Sequence, residues 1–226
     1  MASISIVVPV LNEAANLREL LPALAGLLMP EDELWVVDGG STDDSVLVAR
    51  QWATGCVRTA PGRARQMNAG AAEARGHWLW FVHADCRPER AHLQALRAVS
   101  PDRPWGRFDV RLSGEGGLFR LIGGLINLRS RISGIATGDQ GIFVQRQRFL
   151  ALGGFADQPL MEDIALSLRL RKQRWPRCLR PRLQTSSRRW RQHGSWRTIW
   201  LMWRLRWRYW RGADPVALHR EYYGEH

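Results

Sequence analysis

Polar residues able to hold a ligand gather where three apolar runs stop: Asn12-Glu13, Asp38 with Ser41, Thr42 and Asp43, and His83-Ala84-Asp85. In an α/β sheet, ligands bind outside the carboxyl ends of the strands, so the three clusters point to one crevice. Glu162-Asp163 adds adjacent acids at the start of a helical segment, and Arg188, Arg189 and Arg191 surround Trp190. Guanidinium forks bind phosphate oxygens bidentately, so this arginine group suits a segment that closes over a diphosphate; it equally suits a solvated basic face. Each feature alone has a plainer explanation. Asp43 and Asp85 suit turns or helix caps, Glu162 and Asp163 complement a helix dipole, and His83 and His193 suit ordinary hydrogen bonds. Neither G-x-G-x-x-G after the first run nor G-x-x-x-x-G-K-[ST] anywhere is present, which leaves a dinucleotide fingerprint and a P-loop unsupported.

The elements that must position these residues alternate. Ile4 to Val10 is a β-branched run, after which Leu17, Leu20, Leu21, Leu24 and Leu27 recur at helical spacing. Leu34 to Val37 gives a second strand, closed by Asp38-Gly39-Gly40-Ser41-Thr42-Asp43 before a helix over Ser45 to Trp52. A strand near Cys56 to Thr59, a helix from Ala64 to Ala74, the apolar run Trp78 to Val82 and a helix over Arg90 to Val99 continue the pattern. Right-handed crossovers between such strands produce a parallel, doubly wound sheet. Beyond it lies a Gly-rich middle with strands at Phe108 to Leu112 and Ile142 to Val144, then a helix over Met161 to Arg171, a strand at Cys178 to Leu183 and a terminal helix over Ser195 to Trp210. The expected division is one α/β domain over 1–190 and a basic, Trp-rich helical extension over 191–226.

With 226 residues, 45% of them hydrophobic, the chain can bury one substantial core, which excludes a disordered or fibrous protein. Its formal charge of +12 is almost wholly arginine, since Lys172 is the only lysine. The stretch from Ile164 to Ala213 holds 15 basic residues and no acid, leaving the rest of the chain mildly acidic. One localised basic surface of this kind favours phosphates or anionic headgroups over a chain-wide nucleic-acid coat. Three cysteines without a C-x-x-C pair suit a reducing compartment, so the expected location is cytoplasmic, with any membrane contact peripheral at the inner face.

The segments SIVVPVLNE, VVDGGSTDDS, GRARQMNAGA, WLWFVHADC, GGF and MEDIALSLRL follow one another in the order found in glycosyltransferase family two, which the sequence resembles over residues 4 to about 190. The tail SSRRWRQHGSW is similar to that of a small bacterial subgroup linked to arsenosugar biosynthesis. The resemblance implies a GT-A type domain binding a nucleotide-sugar donor, UDP-linked as first expectation, with Pro9, Asn12, Glu13 and Asp38 cradling the nucleoside. It implies Arg65 as the basic residue near the nucleotide, with Asn68 and Gly70 behind it, while Arg188 and Arg189 by their own chemistry suit the donor diphosphate. Asp85 matches the second acid of the D-x-D motif, a ligand to Mg²⁺ or Mn²⁺ on the diphosphate. His83 stands in place of the first acid at the donor, and His193 would be a further metal ligand. Glu162-Asp163 matches the ED motif, in which the Asp is the base for an acceptor hydroxyl and the reaction inverts the anomeric carbon; Glu162 would orient the acceptor.

On the terminal helix, Trp196, Trp200, Trp203, Trp207 and Trp210 fall within a stripe of about 80°, with Leu201, Met202, Leu205 and Tyr209 opposite. A helix with two apolar stripes gives only one to its own domain, so the tryptophans suit packing, a membrane surface or a homodimer. The expected acceptor is accordingly a small molecule or, for a transferase at the bilayer, a lipid-linked acceptor such as a polyprenyl phosphate. Two competitors lack the transfer step: a nucleic-acid-binding protein using Arg and Trp, which leaves the strand-end motifs unexplained, and a donor sensor without turnover.

Overall fold

The computed structural model describes residues 2–114, 116–188, 190 and 194–224. Seven strands, β1 (Ile4–Val10), β2 (Glu33–Asp38), β3 (Gly55–Arg58), β4 (Trp78–Phe81), β5 (Trp105–Leu112), β6 (Phe143–Gln145) and β7 (Arg177–Thr185), form one sheet in the order β3-β2-β1-β4-β6-β5-β7. β1 pairs in parallel with β2 and β4, and β2 with β3. β6 runs antiparallel to both of its neighbours, and β7 is parallel to β5. The sheet is therefore mostly parallel, as expected, with one reversed strand beyond β4.

Helices cover both faces. Ile4, Ile6, Val8 and Val10 of β1 pack on one side with leucines of α1 (Ala14–Ala25) and with α2 (Ser45–Trp52) and α4 (Arg90–Arg97). Val7 faces the other side, against α3 (Arg63–Glu73), α6 (Arg146–Ala151) and α7 (Glu162–Gln173). Because both faces are buried, the strand reads as a continuous apolar run rather than an alternating one. α3 lies so close to the sheet that a Cβ on Gly70 would stand 2.5 Å from Val7 Cγ1 and 2.8 Å from Val37 Cγ2. Gly70→Ala is therefore expected to destabilise by about 1–3 kcal/mol through overpacking. Thermal unfolding should show a fall of roughly 2–12 °C for a chain of this size; an unchanged Tm would mean that α3 shifts without cost.

The Gly-rich middle holds α5 (Gly117–Ser133), a 17-residue helix that the sequence pattern does not reveal. Its glycines lower helix propensity, and tertiary contacts override them. Arg107 of β5, fully buried, donates to Ser130 Oγ at 3.0 Å and to the Asn127 carbonyl at 3.0 Å. The Asn127 side chain in turn pairs with the Val110 N–H and C=O at 2.8 and 3.0 Å, completing β5 along a stretch where β6 does not reach it. α8 (Ser195–Trp210) has the expected bounds, and α9 (Pro215–Tyr223) follows it, capped by the Asp214 side chain. Leu201, Met202, Leu205 and Tyr209 pack with Leu218 of α9 and with Ile135, Leu160, Met161 and Ile164, so α8 closes over the start of α7.

Candidate active site

The loops after β1 and β2 are tied together by side chains. Asn12, at φ +54°, takes its N–H to Ser41 Oγ and accepts from the Thr42 N–H; Glu13 N–H goes to Ser45 Oγ and Ala14 N–H to Asp43. Asp38 is fully buried, and its carboxylate accepts from the N–H groups of Gly40 and Ser41 while facing Arg58 Nε at 3.5 Å. Gln66 Nε2 donates to the carbonyls of Val10 and Val37, each at 2.8 Å, and so clamps the ends of both strands. Pro9 stands half-buried opposite Val37. This half of the crevice is rigidly built, and Asp38 organises the loop toward β3 rather than joining the acids further along.

Those acids meet beyond β4. Burial raises the Asp85 carboxyl above its ordinary range, and the charges of Glu13 and Asp139 raise it further, while Arg63 opposes them. Asp139 lies in a short 3₁₀ turn over Gly138–Gln140, between α5 and β6. The same turn joins Asp85's neighbourhood to that of Asp163. Gly138 N–H donates to Asp163 Oδ2 at 2.9 Å, and a Cβ on Gly138 would fall 2.7 Å from the His83 ring, so only glycine lets the backbone fit between them. Burial lifts the Asp163 carboxyl and Asp139 adds to it, against the N–H groups of Gly138 and Ile164 and the Arg206 guanidinium. Glu162, buried beside it, is pushed up to about 7 by burial and by Asp163, with Arg63 opposing. His83 is pushed down to about 4 by burial and by Arg63, so its ring is neutral at neutral pH.

Met161 precedes the two acids at φ +67°, and with Asn12 it is the only described non-glycine residue of positive φ. Such backbone is costly and is retained where the surroundings over-determine it. A groove passes Asp85, lined also by Asn16, Arg87, Ser113, Gln184, Thr185 and Ser186. Arg188, at the end of this segment, is exposed and donates its N–H to Ser186 Oγ; Arg189 and His193 lie outside the described residues.

Arg65 is placed differently from the expectation. Its Nε is 2.9 Å from Asp157 Oδ1, in an exposed pair. Residues two apart on a helix diverge by about 200°, so Arg65 and Arg63 cannot serve the same site; Arg63 is the cation felt by His83, Asp85 and Glu162. Asn68, behind it, pairs with both backbone groups of Phe155 at 2.9 Å. Three more site residues escape the sequence pattern. Asp139 carries a weak signal, an acid between Gly138 and Gly141 in a turn; Arg129 of α5 and Arg206 of α8 carry none. Burial lowers both arginines, Arg129 to about 10, and Asp139 and Asp163 oppose that shift.

Comparison with known proteins gives this geometry a context. Residues 5–104, which include β1 to β4 and both strand-end loops, match the model of the family described as glycosyl transferase family 2. Similar proteins include the glycosyltransferase AglE of Haloferax volcanii, 32% identical over 106 residues that cover 43% of this chain and 34% of that protein. The chain thus spans about a third of the length of that relative. Among solved structures, the mannosyltransferase PcManGT of Pyrobaculum calidifontis, in complex with GDP-Man and Mn²⁺, superposes with a TM-score of 0.62 at 22% identity, over 81% of this chain and 56% of that one. TarS of S. aureus, in complex with UDP-GlcNAc, gives 0.64 at 16% identity, over 81% and 58%. These likenesses establish the α/β fold of GT-A glycosyltransferases.

The raised Glu162 has a consequence for stability. Its folded pKa of about 7 exceeds the ordinary 4.5, so the fold favours the neutral acid. The associated stability is present below about pH 4.5 and lost as pH rises through about 7. Glu162→Gln is expected to raise Tm by several degrees at pH 8, where the native chain buries a charge, and to change it little at pH 4. Equal shifts at both pH values would show that ionisation of Glu162 does not set the difference.

Proposed function

We propose that the chain transfers a sugar from a nucleotide-diphosphate donor to an acceptor hydroxyl, with inversion at the anomeric carbon. One observation carries this reading: Asp85, Asp139, Asp163 and the neutral His83 converge around Gly138, with a groove open beside Asp85. A transferase needs charge control where the diphosphate departs and a base where the hydroxyl arrives. Asp85 serves the first need and Asp163 the second.

Asp85 is a hard oxygen donor of the kind Mg²⁺ or Mn²⁺ takes, and the like charges of Glu13 and Asp139 felt there are ones a divalent cation would offset. Among the described residues no three acids, histidines or cysteines lie close enough to hold an ion by themselves. When bound, the ion would supply Lewis-acid neutralisation of the leaving nucleotide. Asp163 holds the proton-accepting oxygen in place through the Gly138 and Ile164 N–H groups, and its burial raises its basicity. Glu162 and Arg63 orient that end of α7. Asn12 and the loop organised by Asp38 support the nucleoside, with UDP as the first expectation. Arg188, Arg189 and His193 belong on the donor side as well.

The tail's resemblance to the arsenosugar subgroup and its exposed tryptophans leave two acceptor classes, a small molecule and a lipid-linked one, and 191–226 is then an extension that completes the acceptor side through α8. The reading is tested by a thermal-shift panel of UDP-, GDP- and dTDP-sugars with and without Mn²⁺. One nucleotide class should stabilise the chain, and more strongly with Mn²⁺; no shift from any of them would defeat the proposal.

A further inference from the structure

Two neighbouring helices expose apolar stripes that the domain's own core does not use. On α5 these are Leu118, Leu121, Leu125, Leu128 and Ile132, between 42% and 71% exposed. On α8 they are Trp196, Trp200, Trp203, Trp207 and Trp210, between 55% and 80% exposed. At about 100° per residue each set occupies one stripe of about 80°. Arg129 borders the leucine stripe and Arg206 the tryptophan stripe. The two arginines are close enough to perturb one another, and both feel Asp139 and Asp163. Ile135, just past the end of α5, shares a packed cluster with Leu205 of α8 and with Met161 and Ile164 at the start of α7, which brings the two helices together beside the paired acids.

The charge around the stripes is of one sign. Neither helix contains an acid, while α5 carries Arg120, Arg129 and Arg131, α8 carries Arg197, Arg204, Arg206 and Arg208, and Arg211 caps the end of α8. Glu221 of α9 neutralises part of this by pairing with Arg204 and Arg208. Arg120, Arg197 and Arg211 remain exposed, and Arg204 and Arg211 also stack over Trp200 and Trp207 with 4.6 and 4.9 Å to the ring centroids. We propose that the α5 and α8 stripes together form a docking surface for an anionic lipid bilayer, lying in its interface without crossing it. No helix among the described residues is long and apolar enough to cross a membrane.

Charge complementarity selects this occupant. Aliphatic and indole side chains enter the acyl boundary while flanking arginines meet anionic headgroups. A second copy docked on the same stripes would set each arginine flank against its own kind. A single-stranded nucleic acid could stack on the tryptophans but has no use for the leucines and isoleucine of α5. On the transferase reading, on which this last step rests, docking presents the acid cluster to hydroxyls at the bilayer surface and makes the acceptor lipid-linked.

The test is cosedimentation of the 226-residue chain with large unilamellar vesicles of phosphatidylglycerol or phosphatidylcholine, without any nucleotide sugar. Binding is expected to phosphatidylglycerol, to weaken in high salt, and to fall at least about tenfold in both Leu121→Ser/Leu125→Ser and Trp203→Ser/Trp210→Ser. All four positions are exposed, and circular dichroism checks that the variants fold. Four results would overturn the proposal: no vesicle binding, equal binding to phosphatidylcholine, full binding by the α5 variant, or a dimer or oligonucleotide complex that the variants lose in place of vesicle binding. Donor-induced thermal shifts, measured on the same variants, should be unchanged. Their loss in native protein would defeat the transferase reading while leaving the docking result standing.

Discussion

Asp163→Asn is expected to lower turnover by about 10²–10⁴-fold while leaving donor affinity near its native value. An alcohol is a poor nucleophile at neutral pH, so transfer requires a group that takes its proton as the new bond forms. The amide keeps the shape of the side chain and can still accept the Gly138 N–H, which stands 2.9 Å from Oδ2. It cannot accept the acceptor's proton. Loss confined to kcat, with the donor-induced thermal shift retained, is the expected split; equal loss of donor binding would mark Asp163 as a structural residue. The pH profile follows from the same burial. Asp163 and Glu162 are both raised and lie side by side, so the pair titrates as a unit, and activity should climb with rising pH as the pair loses its protons. In Glu162→Gln the like-charge contribution disappears, and the acidic limb should move to lower pH.

Asp85→Ala is expected to abolish the Mn²⁺-dependent part of donor stabilisation. A ligand at a hundred times its Kd stabilises the native state by about 2.7 kcal/mol. For a chain of this length that is a Tm increase of roughly 5–11 °C. The variant should show little of this increase with metal present, and turnover should fall with it, because nothing then offsets the charge on the departing diphosphate. Removing Asp85 also relieves the repulsion that Glu13 and Asp139 exert there, so the variant without ligand should be no less stable than the native chain. A metal-dependent shift of undiminished size in Asp85→Ala would place the ion elsewhere.

Much of the donor half was legible in the sequence because it obeys local rules. β1 is a β-branched run closed by polar residues, and α2 and α8 begin and end at the expected residues. The reversed direction of β6 was not legible: a three-residue apolar strand carries no signature of its orientation, which its neighbours decide. α5 was hidden by its glycines, which lower helix propensity, while the contacts that hold it to β5, between Arg107 and Asn127 and between Asn127 and Val110, join residues about twenty apart. At the site, the loop residues and the paired acids stood out by type and spacing. Arg65 did so too, yet the helical phase gives the acid cluster Arg63 and gives Arg65 to Asp157. Arg129 and Arg206 could not be found, since each comes from a helix remote in sequence and reaches the acids only through the packing of α8 over the start of α7.

The division of labour between Asp85 and Asp163 is tested most directly by diffraction from crystals grown with Mn²⁺ and a non-hydrolysable UDP-sugar, using manganese anomalous scattering to locate the ion. The expected map has the manganese peak against Asp85, the diphosphate in the groove beside it, and the face of the anomeric carbon opposite the leaving oxygen turned toward Asp163. A manganese peak away from Asp85, or a sugar ring housed where Asp163 cannot approach that face, would contradict it.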